Sequence, residues 1–159
     1  MKIKIIAVGK IKDKYLSGGI NEYLLRLTSY IKVHIIEVPD EKAPENLTVA
    51  QLKKIKATEG EKILAKISPD DYIVGLAIEG RQKSSTALSE FFNHHMTYDG
   101  RDLVFIIGGS NGLSDVVLKR ANLLLSFSKM TFPHQLMRLI LLEQIYRSYK
   151  IIRNEPYHK

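Results

Sequence analysis

The sequence contains no cysteine. That excludes disulfides, thiolate metal sites and a cysteine nucleophile, and it suits a reducing cytoplasm, which is the expected location. No apolar run approaches the about 20 residues a membrane-spanning helix needs, because charges interrupt every hydrophobic stretch. Met1-Lys2-Ile3-Lys4-Ile5-Ile6 lacks the continuous apolar core and small-residue cleavage site of a secretion signal and reads as a first strand. There is no internal repeat, low-complexity tract or linker, so 159 residues with 45% apolar content are expected to form one domain over residues 1–159. His94 and His95 have no His, Asp or Glu at metal-ligand spacing; no metal site is expected, and both are read as solvated. Neither a Walker-type phosphate loop nor a G-x-G-x-x-G fingerprint is present.

What the chain has in excess is positive charge. A formal net charge of +7 biases it toward polyanions, since lysines and arginines displace counterions along phosphates.

Apolar runs with β-branched enrichment recur at Ile3–Val8, Val33–Val38, Tyr72–Ile78 and Leu103–Ile107, with a weaker one at Leu123–Phe127. Helical spacing lies between them. Tyr15, Leu16, Tyr23, Leu24 and Leu25 are expected to share one face of a first helix, and Leu52, Ile55, Ile63 and Leu64 support a second. Leu88, Phe91 and Phe92 mark a third, opened by the hydroxyl cluster Ser84-Ser85-Thr86; a short fourth follows Ser114-Asp115, and a fifth, the most apolar, runs to Ile152. Strands alternating with helices imply crossovers, so the fold class is α/β: a mostly parallel sheet of five or six strands with helices on both faces. Ligands of such sheets bind outside the carboxyl ends of the strands, which directs attention to the loops there.

Gly108-Gly109-Ser110-Asn111-Gly112 follows the strand Val104–Ile107, where glycine permits close approach of backbone to a ligand and equally makes a tight strand-to-helix turn. Glu79, between Gly75 and Arg81, reads as a surface carboxylate paired with Arg81 or Lys83. His134 follows Pro133 at the start of the last helix, as a reactive imidazole or a cap. Arg138, Arg147 and Arg153 interleave with apolar residues over an arc too wide for a surface helix, which suggests burial against another subunit; such arginines are otherwise a solvated face. The terminus Asn154-Glu155-Pro156-Tyr157-His158-Lys159 places an aromatic, an imidazole and an ammonium in succession. These can stack a base, move a proton and meet a phosphate, although chain ends are more often frayed.

Phe105–Gly112, Ser126–His134, Arg138 through Glu143-Gln144-Ile145-Tyr146-Arg147, and Asn154–Lys159 together resemble the bacterial family of ribosomal RNA large subunit methyltransferases H, in the SPOUT superfamily. The resemblance covers the whole chain, with a lysine in place of an arginine at the extreme terminus. It implies a C-terminal trefoil knot, a homodimer through the last helix, and S-adenosylmethionine held in a bent conformation by backbone at Leu76, at Gly108 and along Phe127, Ser128, Lys129, Met130, Thr131 and Phe132. The substrate it implies is a pseudouridine of 23S rRNA in the assembled ribosome, methylated at N3. An imide N–H needs a base or a stabilising cation beside the methyl group. His134, His158, Arg147 and Lys159 are the candidates, with Tyr157 positioning the nucleobase. The rival expectation is a non-catalytic module that binds ribosomal RNA.

Overall fold

The computed structural model describes residues 1–159. Its elements follow the order β1 (Ile3–Val8), α1 (Lys14–Leu27), β2 (Val33–Val38), α2 (Val49–Leu64), β3 (Tyr72–Gln82), α3 (Ser85–His94), β4 (Leu103–Ile107), α4 (Asp115–Arg120), β5 (Leu123–Ser126) and α5 (His134–Ile152), with a π-helical turn at His95–Asp99 extending α3. All strand pairs are parallel, in the order β2-β1-β4-β3-β5, so the sheet has five strands and not six.

The central strands are almost wholly apolar because both faces are covered; Lys4 of β1 is the exception, its ammonium paired with Asp71 at 3.1 Å. On β1, Ile3, Ile5 and Ala7 enter one core cluster and Ile6 and Val8 the other; on β4, Leu103, Phe105 and Ile107 alternate with Val104 and Ile106 in the same way. The alternation is the period-two geometry of a strand, and the lack of polar residues is what a two-sided sheet requires. The first cluster is closed by Ile20 and Leu27 of α1, Leu88 and Phe92 of α3, and Leu141, Leu142 and Ile145 of α5. Ile63 of α2 and Val117 of α4 close the second. Three helices are started by side-chain caps at the predicted hydroxyls or nearby: Thr48 accepts from Gln51 N in a reciprocal capping box, Ser84 from Ala87 N, and Ser114 from Val117 N.

Three sequence-based expectations are corrected. β3 continues past Ile78 to Gln82: after a register break, Leu125 of β5 pairs with Arg81 as well as Leu76, so polar Glu79–Gln82 are strand and not loop. On α1 the buried residues are Leu16, Ile20 and Leu27, whereas Tyr15 and Leu25 are exposed, because the face that meets α5 is rotated from the one the apolar count suggested. His95 is buried, not solvated: Nε2 sits 3.0 Å from the Arg101 carbonyl, and Tyr72 and Phe91 pack on the ring. His94 is exposed as expected. The wide apolar arc of α5 packs largely on α1 and α3 within the chain, while Leu136, Leu139 and Ile140 stay partly exposed. Arg138 on that arc is 1% exposed: Nη1 lies 2.6 Å from Glu37 Oε2 and Nη2 donates to the Gly9 carbonyl at 2.8 Å.

Candidate functional site

The carboxyl ends of β3, β4 and β5 open into a cavity of about 190 Å³, lined by 18 residues of which 10 are hydrophobic. Three segments build it: Leu76–Ile78 at the β3 register break, Ile107–Gly112 after β4, and Leu125–Phe132 after β5. The chain then turns at Pro133 into α5, and His134 and Met137 close the floor.

Backbone forms much of this wall. A Cβ on Gly108 would meet the Gly112 carbonyl carbon at 3.0 Å, and Gly112 has φ +82°, so the turn admits glycine at both points. An isolated bridge ties Gly109 to Gly112. The main-chain amides of Gly108, Phe127, Ser128 and Thr131 have no backbone partner, while Met130 N donates to Ser128 Oγ at 3.0 Å. A wall of unpaired peptide groups beside Leu76, Leu125, Phe127 and Phe132 combines hydrogen-bonding edges with apolar surface. That combination fits a flat heterocycle with a short polar tail.

Of the residues expected to hold the cofactor, Leu76, Gly108, Phe127, Ser128, Met130, Thr131 and Phe132 line the cavity. Lys129 does not; it is exposed on the outer side of the same loop. Glu79 is exposed, lies outside the lining and forms no ion pair with Arg81 or Lys83.

His134 is half-buried in the cavity, with Nε2 3.8 Å from where a Cβ on Gly9 would stand. Burial, assisted by the nearby Arg138 charge and opposed by Asp40, pushes its pKa below 6.5. The imidazole is therefore neutral near pH 7, with a lone pair free to accept a proton.

Arg147, Tyr157 and His158 come together, but elsewhere. Asn154, at φ +54°, turns the chain after α5 and folds the tail back along the helix. Tyr157 OH donates to Glu143 Oε1 at 3.0 Å and lies 3.2 Å from Tyr23 OH. Arg147 donates to the same Glu143 oxygen at 2.6 Å, stacks over the Tyr157 ring and lies 3.2 Å from His158 Nδ1. Burial first, then the bonds to Tyr23 and Glu143, raises the Tyr157 pKa, and the Glu143 bond raises that of Arg147. Tyr157 is thus a standing O–H donor and Arg147 a permanent cation. Glu155 anchors the tail through Lys150 Nζ at 2.7 Å and through Tyr30 OH. Lys159 is exposed at the tip. From His134 to Arg147 is 13 residues of helix (147 − 134), or about 20 Å at 1.5 Å per residue. One chain's tail cluster does not reach its own cavity.

Two groups escaped sequence reasoning. Glu59 of α2 is 4% exposed behind the glycine turn, and its Oε1 has no hydrogen-bond partner. Gly80 crosses so close to β5 that a Cβ would stand 2.7 Å from the Leu124 carbonyl carbon and oxygen. Only the Gly75/Gly80 spacing hinted at the second; nothing in the lysine- and glutamate-rich α2 distinguished Glu59. No group of three His, Cys, Asp or Glu residues is placed to hold a metal, and no helix is long and apolar enough to cross a membrane.

Comparison with known proteins bears on this geometry. A family model described as predicted SPOUT methyltransferase matches residues 1–158. Proteins named ribosomal RNA large subunit methyltransferase H from Bacillus cytotoxicus and Bacillus pumilus are 59% and 57% identical over 159 residues, all of both chains. The protein of the same name from an Exiguobacterium species is 58% identical over the same span. A solved structure titled as a probable methylase family protein from Haemophilus influenzae Rd KW20 superposes with TM-score 0.54 at 14% identity, covering 99% of this chain and 70% of that one, which shows a shared fold. The chain therefore belongs to the SPOUT methyltransferase family, beside the relatives named ribosomal RNA large subunit methyltransferase H.

Proposed function

We propose that the protein is an S-adenosylmethionine-dependent methyltransferase that acts on 23S rRNA in the assembled ribosome, at N3 of a pseudouridine. The observation that carries the reading is the cavity at the carboxyl ends of β3, β4 and β5, with its glycine turn, unpaired peptide groups and neutral His134. Its relatives' names and the +7 charge point the same way. The whole chain acts as one domain in the cytoplasm.

The methyl donor, when bound, supplies an electrophilic methyl group on a sulfonium. Backbone at Leu76, Gly108 and Phe127–Phe132 would hold it, Lys129 contributing main chain alone. The wall's peptide amides orient the donor, and its apolar residues exclude water. His134 accepts the N3 proton of the target base, or leaves that task to His158. Arg147 and Lys159 stabilise the anion left on the ring, and Tyr157 positions the base by stacking or by its hydroxyl.

The about 20 Å along α5 between His134 and Arg147 argues for a homodimer in which one subunit's tail completes its partner's cavity. A knot is in keeping with the path after β5. The chain leaves β5 at the sheet edge, runs across the β3 and β4 ends, and places Arg138 against Gly9 and Glu37 near the opposite edge. Meanwhile β3 passes tightly beside β5 at Gly80.

The test is methyl incorporation into ribosomes, with the modified nucleoside identified by mass spectrometry. Tyr157→Ala and a chain lacking His158 and Lys159 are expected to lose transfer while donor affinity stays near that of the intact chain. Full turnover without the tail ends its assigned role. Ribosomal RNA affinity with no thermal stabilisation by S-adenosylmethionine would leave a non-catalytic binding module instead.

A further inference from the structure

Two consecutive residues of α2 brace the cavity's glycine turn from behind. Glu59 Oε2 accepts from Glu41 N at 3.1 Å, and Oε1 is buried with no partner. Both oxygens face Gly109: a Cβ there would stand 3.6 and 3.7 Å from them. The next residue, Gly60, is pressed against the far end of the turn, where a Cβ would lie 2.3 Å from Ser114 Oγ, the cap of α4. Gly109 and Gly112 both line the cavity.

We propose that Glu59 is a positioning residue for the methyl-donor site, its buried carboxyl group holding the Gly109–Gly112 turn in the receptive shape. The inference rests on the assignment of the cavity to that donor. No cation is paired with Glu59. Lys62, whose charge acts on Glu59, is engaged with Glu41 at 2.7 Å, and the Lys56 side-chain methylene lies against Gly112. On the β2–α2 connection the facing groups are Asp40 and Glu41, both acidic. Burial foremost, then these carboxylates, raises the Glu59 pKa against the amide of Glu41 and the charge of Lys62. An acid with a raised folded pKa keeps its proton at acid pH and loses it as pH rises through that value. The charge would then appear beneath the turn, without a partner. Donor affinity is accordingly highest on the acid side and falls as pH rises.

The experiment is calorimetric titration of the intact protein with S-adenosylhomocysteine, from mildly acid to mildly alkaline pH, repeated in buffers of different ionisation enthalpy. Wild type is expected to lose affinity with rising pH and to take up protons on binding. Glu59→Gln, neutral and of the same shape, should keep the acid-side affinity with that slope removed. Glu59→Ala should bind about tenfold more weakly, the effect of about 1.4 kcal/mol. His134 titrates in the same cavity, but the Glu59→Gln substitution leaves its contribution in place, so only the difference between the two profiles counts. A wild-type profile as flat as that of Glu59→Gln, or an unchanged slope in Glu59→Gln, overturns the role. Absence of binding by wild type at every pH overturns the donor assignment itself.

Discussion

Replacing Arg138 with methionine isolates the largest fully buried side chain in the protein. Methionine keeps most of the volume and removes the fork that reaches Glu37 and the Gly9 carbonyl. Breaking a buried ion pair from one side costs about 3–5 kcal/mol. Glu37 is 40% exposed, so water recovers part of its loss. Against that, the Gly9 carbonyl loses its only donated bond from Arg138, about 1–3 kcal/mol if left unsatisfied. The low end, about 3 kcal/mol, is the expected loss, and at this chain length it lowers the melting temperature by about 6–12 °C. Urea unfolding gives the value directly. In a double-mutant cycle, Glu37→Gln should cost almost nothing once Arg138 is gone, with a coupling of about 1–2 kcal/mol. The same substitution should raise the His134 pKa, because Arg138 is one of the two influences holding it down, and proton NMR of the imidazole reads this separately. Loss below about 1 kcal/mol with additive mutations would mean that the pair only offsets its own desolvation.

A Gly80→Ala chain must move backbone, since the added carbon lands 2.7 Å from Leu124 main chain; a loss of about 2 kcal/mol or more in denaturant is expected. Gly108→Val should weaken S-adenosylmethionine binding at least about tenfold by pushing against Gly112, and unchanged affinity in calorimetry would relocate the site. His134 has a folded pKa below its unfolded value of 6.5, so the unfolded chain takes up the proton first. Stability is full above that pH and is lost as pH falls through 6.5 toward the lower folded value. Urea midpoints of wild type and His134→Gln should converge on acidification, and parallel curves would refute the shift.

The central sheet was legible because its residues have one job. β1, β2 and β4 are short apolar runs whose bounds match the strands, and the hydroxyls before α3 and α4 cap as their spacing indicates. Legibility failed where tertiary partners override local pattern. Glu79–Gln82 are polar because they extend β3 beyond the two-sided core, yet β5 still pairs with them. His95 is buried by a π-helical turn that rotates it under Tyr72, which the neighbouring exposed His94 does not share. At the site, the glycines and the loop after β5 stood out through composition and family resemblance. Glu59 did not, since its meaning depends on Gly109, fifty residues along the chain (109 − 59). Likewise the separation between His134 and the tail cluster exists only once α5 is seen to run unbroken from His134 past Arg147.

β1 lies inside the sheet, one strand from its edge, and its inner neighbour is β4, in register Ile3 with Leu103. On a ribosome adding about 5–20 residues per second, a hundred residues take about 5–20 s. For that interval the amino-terminal strand, apolar but for Lys4, has β2 on one side and nothing on the other. A nascent chain with so long a wait offers an open strand edge to any passing neighbour. The two lysines at the strand's start, Lys2 and Lys4, are the nearest charges to guard it; in the finished protein the Lys4 ammonium is answered only by residues made later, Asp71 and Asp102, and the main-chain amide of Lys2 donates to Asp102.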